Sequence, residues 1–140
     1  MNWLAVTAFG VGVWAVVNDL ARRSIPNWLT GAGIAAGLIS HLWAGGWRGL
    51  GLAAAGGGIG FVLPLPLFVF GAMGGGDVKL MAAFGTMLGP AGILLAALLG
   101  AAVGGLEAVA WLAVAPRSRA VPYAPPIVLG VWLSLLGGGL

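Results

Sequence analysis

The chain has 140 residues, of which 61% are hydrophobic and only 6% are charged. Because soluble domains carry about 25% charged residues, this composition leaves too little polar surface to coat a water-facing globule. The formal net charge is +3, but the six basic residues are spread over short loops and form no basic patch, which argues against nucleic-acid binding.

Six apolar segments predict six transmembrane helices. A helical span needs about 20 apolar residues, and the segments are continuous, unlike the alternating strands of a membrane barrel. In chain order they cover residues 3–17, 28–43, 50–70, 80–88, 91–115 and 127–140. The fourth segment is short, so its helix is expected to begin at or before Asp77. We therefore predict an all-α integral membrane protein, a bundle of about six transmembrane helices that forms a single domain over residues 1–140.

The basic residues predict the orientation of the spans. Arg22 and Arg23 follow the first apolar segment, which is the opposite polarity to a signal peptide, so this segment is predicted to be retained. Under the positive-inside rule, six spans place only Arg48 outside. The residues expected on the cytoplasmic side are Arg22, Arg23, Lys79, Arg117 and Arg119. Both termini would then face outside, as in a multi-pass protein of the inner membrane.

Glycine is unusually frequent, with 27 residues. Small residues four positions apart let helix backbones approach closely in lipid, where association depends on packing. Such pairs occur at Gly33 with Gly37, Gly56 with Gly60 and Gly100 with Gly104. The pattern favours close packing inside one bundle, and homodimerisation is the other interpretation.

Two of the three acidic residues are predicted to lie at one membrane face. Asp19 follows the first span and Asp77 begins the fourth, so the predicted topology places both at the cytoplasmic boundary. Ionisable residues at the edge of a span indicate function by default. Two neighbouring carboxylates repel each other and tend to share one proton. Such a pair can activate water, one acid accepting a proton and the other donating one as a peptide carbonyl is attacked. This chemistry requires no metal, cofactor or cysteine nucleophile, and the chain has no cysteine.

Three glycines precede Asp77. Gly74, Gly75 and Gly76 can adopt backbone conformations closed to other residues and let a substrate backbone approach the carboxylates. The competing interpretation is a flexible loop in which Asp77 is the N-cap of the fourth helix. Both interpretations stay open at this point.

Three stretches resemble one family. GGGDVKLMAAFG at 74–85 resembles the GxGD signature of the type IV prepilin peptidases, membrane aspartic proteases that trim prepilin leader peptides. NDLARRSIPNWLT at 18–30 resembles the first aspartate motif of that family, and VPYAPPIVLG at 121–130 is similar to its closing proline–tyrosine motif. The three stretches occur in the family's order, and the six-span layout covers the whole chain.

The resemblance implies that Asp19 and Asp77 are the catalytic pair, acting at the cytoplasmic face. The implied substrate is a prepilin or pseudopilin with a short basic leader before a hydrophobic helix, cut at their junction. Larger members carry a cytoplasmic insertion, often with paired Cys-x-x-Cys motifs, and also methylate the new N-terminus. This chain has no cysteine, so we expect a peptidase without methyltransferase activity, like the compact forms of Flp-type (tight-adherence) pilus systems. Archaeal preflagellin peptidases are the alternative.

Four further residues are predicted to shape the site or bind substrate. Lys79 is interpreted first as an anchor reaching the headgroups, and second as a charge that assists Asp77 or meets the substrate. Pro26 and Asn27 are expected to end the first loop and start the second helix, with Asn27 as a cap or turn residue. Tyr123 is interpreted as an interface aromatic, or else as a hydrogen-bonding group near the site.

The remaining charged and polar residues receive other interpretations. Arg22 and Arg23 are expected to fix topology, with anionic lipid as a secondary contact. Glu107 lies within the fifth span, where a charge costs about 2.5–3.5 kcal/mol on insertion scales, and no catalytic role is expected for it. His41 is expected at the outer interface.

Two other functions compete with the peptidase. In a small proton- or ion-coupled transporter, the two aspartates would form a proton relay, although such a site is expected near the midplane. In a non-catalytic scaffold subunit, loss of both aspartates would have no effect.

Overall fold

All the regular structure of the protein is helical in the computed structural model, which describes residues 3–114 and 124–137. The helices are α1 (Trp3–Arg22), α2 (Asn27–Val62), α3 (Leu65–Val69), α4 (Gly75–Val114) and α5 (Ala124–Leu136). Three stretches are long and apolar enough to cross a membrane: α1, α2 together with α3, and α4. The prediction of an all-α membrane protein is confirmed.

The predicted count of six separate helices is wrong. The part of the chain that the structure describes forms four longer helices and the five-residue α3. α2 joins segment 28–43 to most of segment 50–70, and α4 joins segment 80–88 to nearly all of segment 91–115, because in each case the helix resumes directly after a single glycine. Gly46 has φ 57° and ψ −145°, and Gly89 has φ 72° and ψ −178°. These backbone conformations are essentially restricted to glycine.

α2 folds back on itself at Gly46. Gly37 and Gly57 both lie against Thr86 of α4, yet twenty residues of straight helix would separate them by about 30 Å. The two arms of α2, which are its residues before and after Gly46, therefore both pack against the first half of α4.

The second half of α4 packs against α5 in the opposite direction. Ser134 donates a hydrogen bond to the Gly92 carbonyl oxygen at 3.2 Å, and Gly104 lies against Pro126. α5 in turn packs on α1, where the rings of Phe9 and Trp132 are 5.0 Å apart. The first and last helices of the bundle, α1 and α5, are therefore in contact.

The glycine pairs lie at these helix contacts. Gly33–Gly37 and Gly56–Gly60 face α4, and Gly100–Gly104 faces α5. The largest side chains of the core fill the space between these contacts: Leu80, Phe84, Met87, Ile93, Val128 and Val131. The glycine pattern is thus used for packing within the chain, and homodimerisation stays a prediction.

The backbone at Gly46 supplies a first testable prediction. Gly46→Ala is expected to lower the free energy of unfolding by about 1–3 kcal/mol, because alanine is strained in this conformation. No neighbouring atom lies within 4 Å of a Cβ at either Gly45 or Gly46, so clashes with other residues do not contribute to the effect. Gly45→Ala is the matched control and is expected to leave stability unchanged or slightly higher. Thermal unfolding of the purified protein in detergent measures both, and equal melting temperatures would contradict the folded-back turn.

Candidate active site

Asp19 lies in the last turn of α1, and its carbonyl group helps to end that helix. The Arg23 N–H donates to the Asp19 carbonyl oxygen at 2.8 Å, and Arg23 has φ 50°. This is the left-handed cap that usually carries glycine, and a residue with a Cβ is disfavoured there by about 1–2 kcal/mol. The chain therefore turns sharply four residues after Asp19.

Asp77 is the third residue of α4. Its N–H donates to the Gly74 carbonyl oxygen at 3.2 Å, and its carboxyl group hydrogen-bonds to the Gly74 backbone. An acid at this position that reaches back to the residue before the helix is one half of a capping box, and the helix dipole favours it. The expectation that the helix begins at or before Asp77 is confirmed. The interpretation of Asp77 as the N-cap is wrong, since Gly75 and Gly76 already belong to α4.

The structure brings Asp19 and Asp77 together. Their charges are close enough to interact, although 58 positions separate them in the sequence. Asp77 is only 8% exposed. Asp19 Oδ2 and Asp77 Oδ1 are both buried, and neither has a hydrogen-bond partner among the residues that the structure describes. An unpaired buried acceptor is unfavourable. A shared proton, a water molecule or a substrate group that bonds to either oxygen would therefore be stabilising.

The three glycines before Asp77 do not have unusual backbone conformations. None has a positive φ, and the left-handed glycine of this region is Gly71. The expectation of special conformations at Gly74–Gly76 is therefore wrong, because the helix already starts at Gly75. Close packing requires a glycine most clearly at Gly76, whereas a Cβ at Gly74 would make an ordinary van der Waals contact. A Cβ at Gly74 would lie 3.5 Å from Asp77 Oδ2, and one at Gly76 would lie 3.3 Å from Ile25 Cβ.

Pro26 and Asn27 start α2 as predicted, but their roles differ from the expectation. Pro26 occupies the N-cap with an extended backbone, and no side chain caps the helix. The interpretation of Asn27 as a cap is therefore wrong. Its Oδ1 atom instead accepts a hydrogen bond from Lys79 Nζ at 3.0 Å. Lys79 is exposed, as an interfacial anchor would be, but its partner was not foreseen.

Sequence reasoning also missed Ile25, which packs on Gly76 beside Asp77. No local pattern marks such a contact, because it joins the α1–α2 connection to a helix some fifty residues later. Tyr123 lies outside the described residues, as do Arg117 and Arg119. Within residues 3–114 and 124–137, no group of three or more His, Asp or Glu side chains could hold a metal ion.

A groove of about 430 Å³ lies between α1 and the start of α2. Its lining residues are Trp14, Val17, Asn18, Ala21, Arg22, Pro26 and Trp28. Val17 and Ala21 project from α1 about 160° away from Asp19, given 100° per residue. Neither Asp19 nor Asp77 lines the groove, which is therefore separate from the space between the two acids.

Comparison with known proteins identifies the family of the chain. The model of the type IV leader peptidase family matches residues 6–109, a range that contains both aspartates and the residues around them. The stretch 121–130 lies outside this match. No curated protein and no solved structure matches the chain. Because the family model covers well over half of the sequence, this helical membrane protein is a protease that belongs to the type IV leader peptidase family.

Proposed function

We propose that the protein is an aspartic endopeptidase that removes the basic leader from prepilins or pseudopilins of an Flp-type pilus system. The observation that carries this proposal is that Asp19 and Asp77 lie near enough for their charges to interact, each with one buried oxygen that has no hydrogen-bond partner in the described chain. A general acid and a general base side by side are what the hydrolysis of a peptide bond requires.

The reaction proceeds through water. One carboxylate accepts a proton from a water molecule as its oxygen attacks the scissile carbonyl carbon, and the other carboxyl group donates a proton to the departing nitrogen. The C–N bond breaks, and the leader leaves with a new carboxyl group. The proton that the base received returns the pair to its starting state. The burial of Asp77 and the partial burial of Asp19 limit competing solvent.

The site is assigned to the cytoplasmic face of the inner membrane. Arg22 and Arg23 follow Asp19 closely, and Lys79 follows Asp77, so three cations lie at the end of the bundle that carries the acids. Cytoplasmic ends of spans are enriched in Lys and Arg. Both termini then lie outside, and the hydrophobic helix of the substrate stays in the bilayer while its basic leader is cut off.

The absence of methyltransferase activity is part of the proposal. The connection between α1 and α2 is only residues 23–26, which leaves no room there for a cysteine-bearing insertion, and the chain has no cysteine. These features support a compact peptidase. A preflagellin substrate is the alternative within the same chemistry.

The proposal is tested with purified protein and a recombinant substrate that carries a basic leader before a hydrophobic helix. Mass spectrometry is expected to find a single cut at the junction of the two parts. With S-adenosylmethionine present, the new N-terminus is expected to stay unmethylated. Absence of cleavage in detergent and in lipid nanodiscs alike would contradict the proposal.

A proton-coupled transporter is the competing function. The features that suggest a transporter are the two acids and the helix breaks at glycine in α2 and α4. In transporters, however, the broken backbone lines the binding site, whereas Gly89 is twelve residues from Asp77, about 18 Å along the helix. Proton uptake by liposomes without any peptide cleavage would favour the transporter.

A further inference from the structure

The short connection between α1 and α2 is bonded to the helix end that carries Asp19. Residues 23–26 form this connection, and its first N–H, that of Arg23, donates to the Asp19 carbonyl oxygen. A movement of the connection is therefore transmitted to the last turn of α1. The position of Asp19 depends on what holds the connection in place.

One contact holds the connection against α4 beside Asp77. A Cβ on Gly76 would lie 3.3 Å from Ile25 Cβ and 3.6 Å from the Ile25 backbone nitrogen. The first of these distances is tighter than ordinary van der Waals contact and the second is within it, so glycine lets the connection lie this close without displacing Ile25. The contact is made by the residue directly before Asp77.

A second contact lies on the other side of Asp77. Lys79 Nζ donates to Asn27 Oδ1 at 3.0 Å across 52 positions of sequence. In residues 3–114 and 124–137 it is the one hydrogen bond between two side chains. Asn27 is available for it because the N-cap of α2 is Pro26 and no side chain caps that helix.

Lys79 does not act directly on Asp77. The two residues are two positions apart on α4 and project about 160° from each other, and the structure gives Lys79 a hydrogen bond to Asn27 instead. A pure membrane anchor would need no such partner. The bond instead joins the first turn of α4 to the first residue of α2.

We propose that Lys79 and Asn27 are positioning residues for the peptidase reaction. Together with the packing of Ile25 on Gly76, their hydrogen bond holds the α1–α2 connection against the first turn of α4. These two contacts, which we call the clamp, fix the separation of the Asp19 and Asp77 carboxyl groups. This clamp rests on the proposed function, because it matters for catalysis only if the two acids are the catalytic pair.

The clamp is tested by a double-mutant cycle on leader cleavage. Lys79→Met and Asn27→Leu are each expected to lower kcat about tenfold, since misplacement of reacting groups by about 1 Å can cost as much as 100-fold, while KM stays unchanged. The double variant is expected to be no slower than either single variant, because both remove one interaction. Asn27→Asp is expected to keep near wild-type kcat, since the carboxylate still accepts from Lys79.

The control is Arg48→Met, which removes an exposed cation from the opposite end of the bundle and is expected to leave kcat unchanged. Additive losses in the double variant, a rise in KM with normal kcat, or normal activity of Asn27→Leu would each overturn the clamp. If Lys79→Met does not fold, the comparison of Asn27→Leu with Asn27→Asp tests the same hydrogen bond.

Asp19→Asn and Asp77→Asn are measured in the same assay. If those variants are active, the proposed function is refuted. If they are inactive while the clamp variants keep wild-type kcat, only the clamp is refuted.

Discussion

Asp77→Asn and Asp19→Asn are each expected to lower leader cleavage by about 10²–10⁴-fold, the contribution of a general acid or base. Asparagine keeps the shape of the side chain but can neither accept a proton from water nor donate one to the departing nitrogen. The double variant is expected to be about as slow as the slower single variant, because residues that act as one unit are not additive. Single-turnover cleavage of the recombinant substrate, followed by mass spectrometry, measures these rates.

Stability separates this catalytic role from a structural one. The two carboxyl groups interact, and each leaves a buried oxygen without a partner in the described chain. The hydrogen bond between the Asp77 side chain and the Gly74 backbone can still be made by an asparagine oxygen, so neither substitution is expected to destabilise the fold. The melting temperatures of both variants should equal or exceed that of the wild type, as for residues kept for function. Glu107→Gln is the matched control, an acid on the same helix as Asp77, and is expected to cleave normally. Normal processing by either aspartate variant would refute the catalytic pair.

Gly56→Ala and Gly60→Ala are expected to destabilise the bundle strongly. A Cβ on Gly56 would lie 2.7 Å from the Gly89 carbonyl carbon, and one on Gly60 would lie 2.9 Å from the Met81 carbonyl carbon. These are backbone atoms that cannot rotate away, so α2 and α4 must move apart to accommodate the added methyl group. Overpacking of this kind costs about 1–3 kcal/mol per site, and the pair is expected to prevent folding. Thermal unfolding in detergent and the yield of folded protein measure the effect.

Gly58→Ala is the control for this prediction. It lies on the same helix between the two test positions, and nothing is within 4 Å of a Cβ there. Replacing a helical glycine by alanine in open space is expected to stabilise the protein by about 0.5–1 kcal/mol. Equal melting temperatures for the variants at positions 56, 58 and 60 would contradict the close approach of α2 and α4.

Local pattern was enough to predict the helical class, the start of α4 near Asp77 and the pairing of the two acids at one end of the bundle. It was not enough to predict the number of separate helices. Gly45-Gly46 and Gly89-Pro90 mark a break in the pattern, but whether a loop or an immediate second helix follows depends on the packing of the two arms. That packing involves Thr86, which contacts Gly37 and Gly57 at once.

The site shows the same division. Hydropathy and motif spacing are local properties of the chain, and they were sufficient to indicate a helical membrane protein with two acids at helix ends. The hydrogen bond between Asn27 and Lys79, the packing of Ile25 on Gly76, and the one buried oxygen of each aspartate without a partner in the described chain are known only from the folded structure. These contacts join positions about fifty residues apart, so they exist only once the arms of α2 have closed on α4.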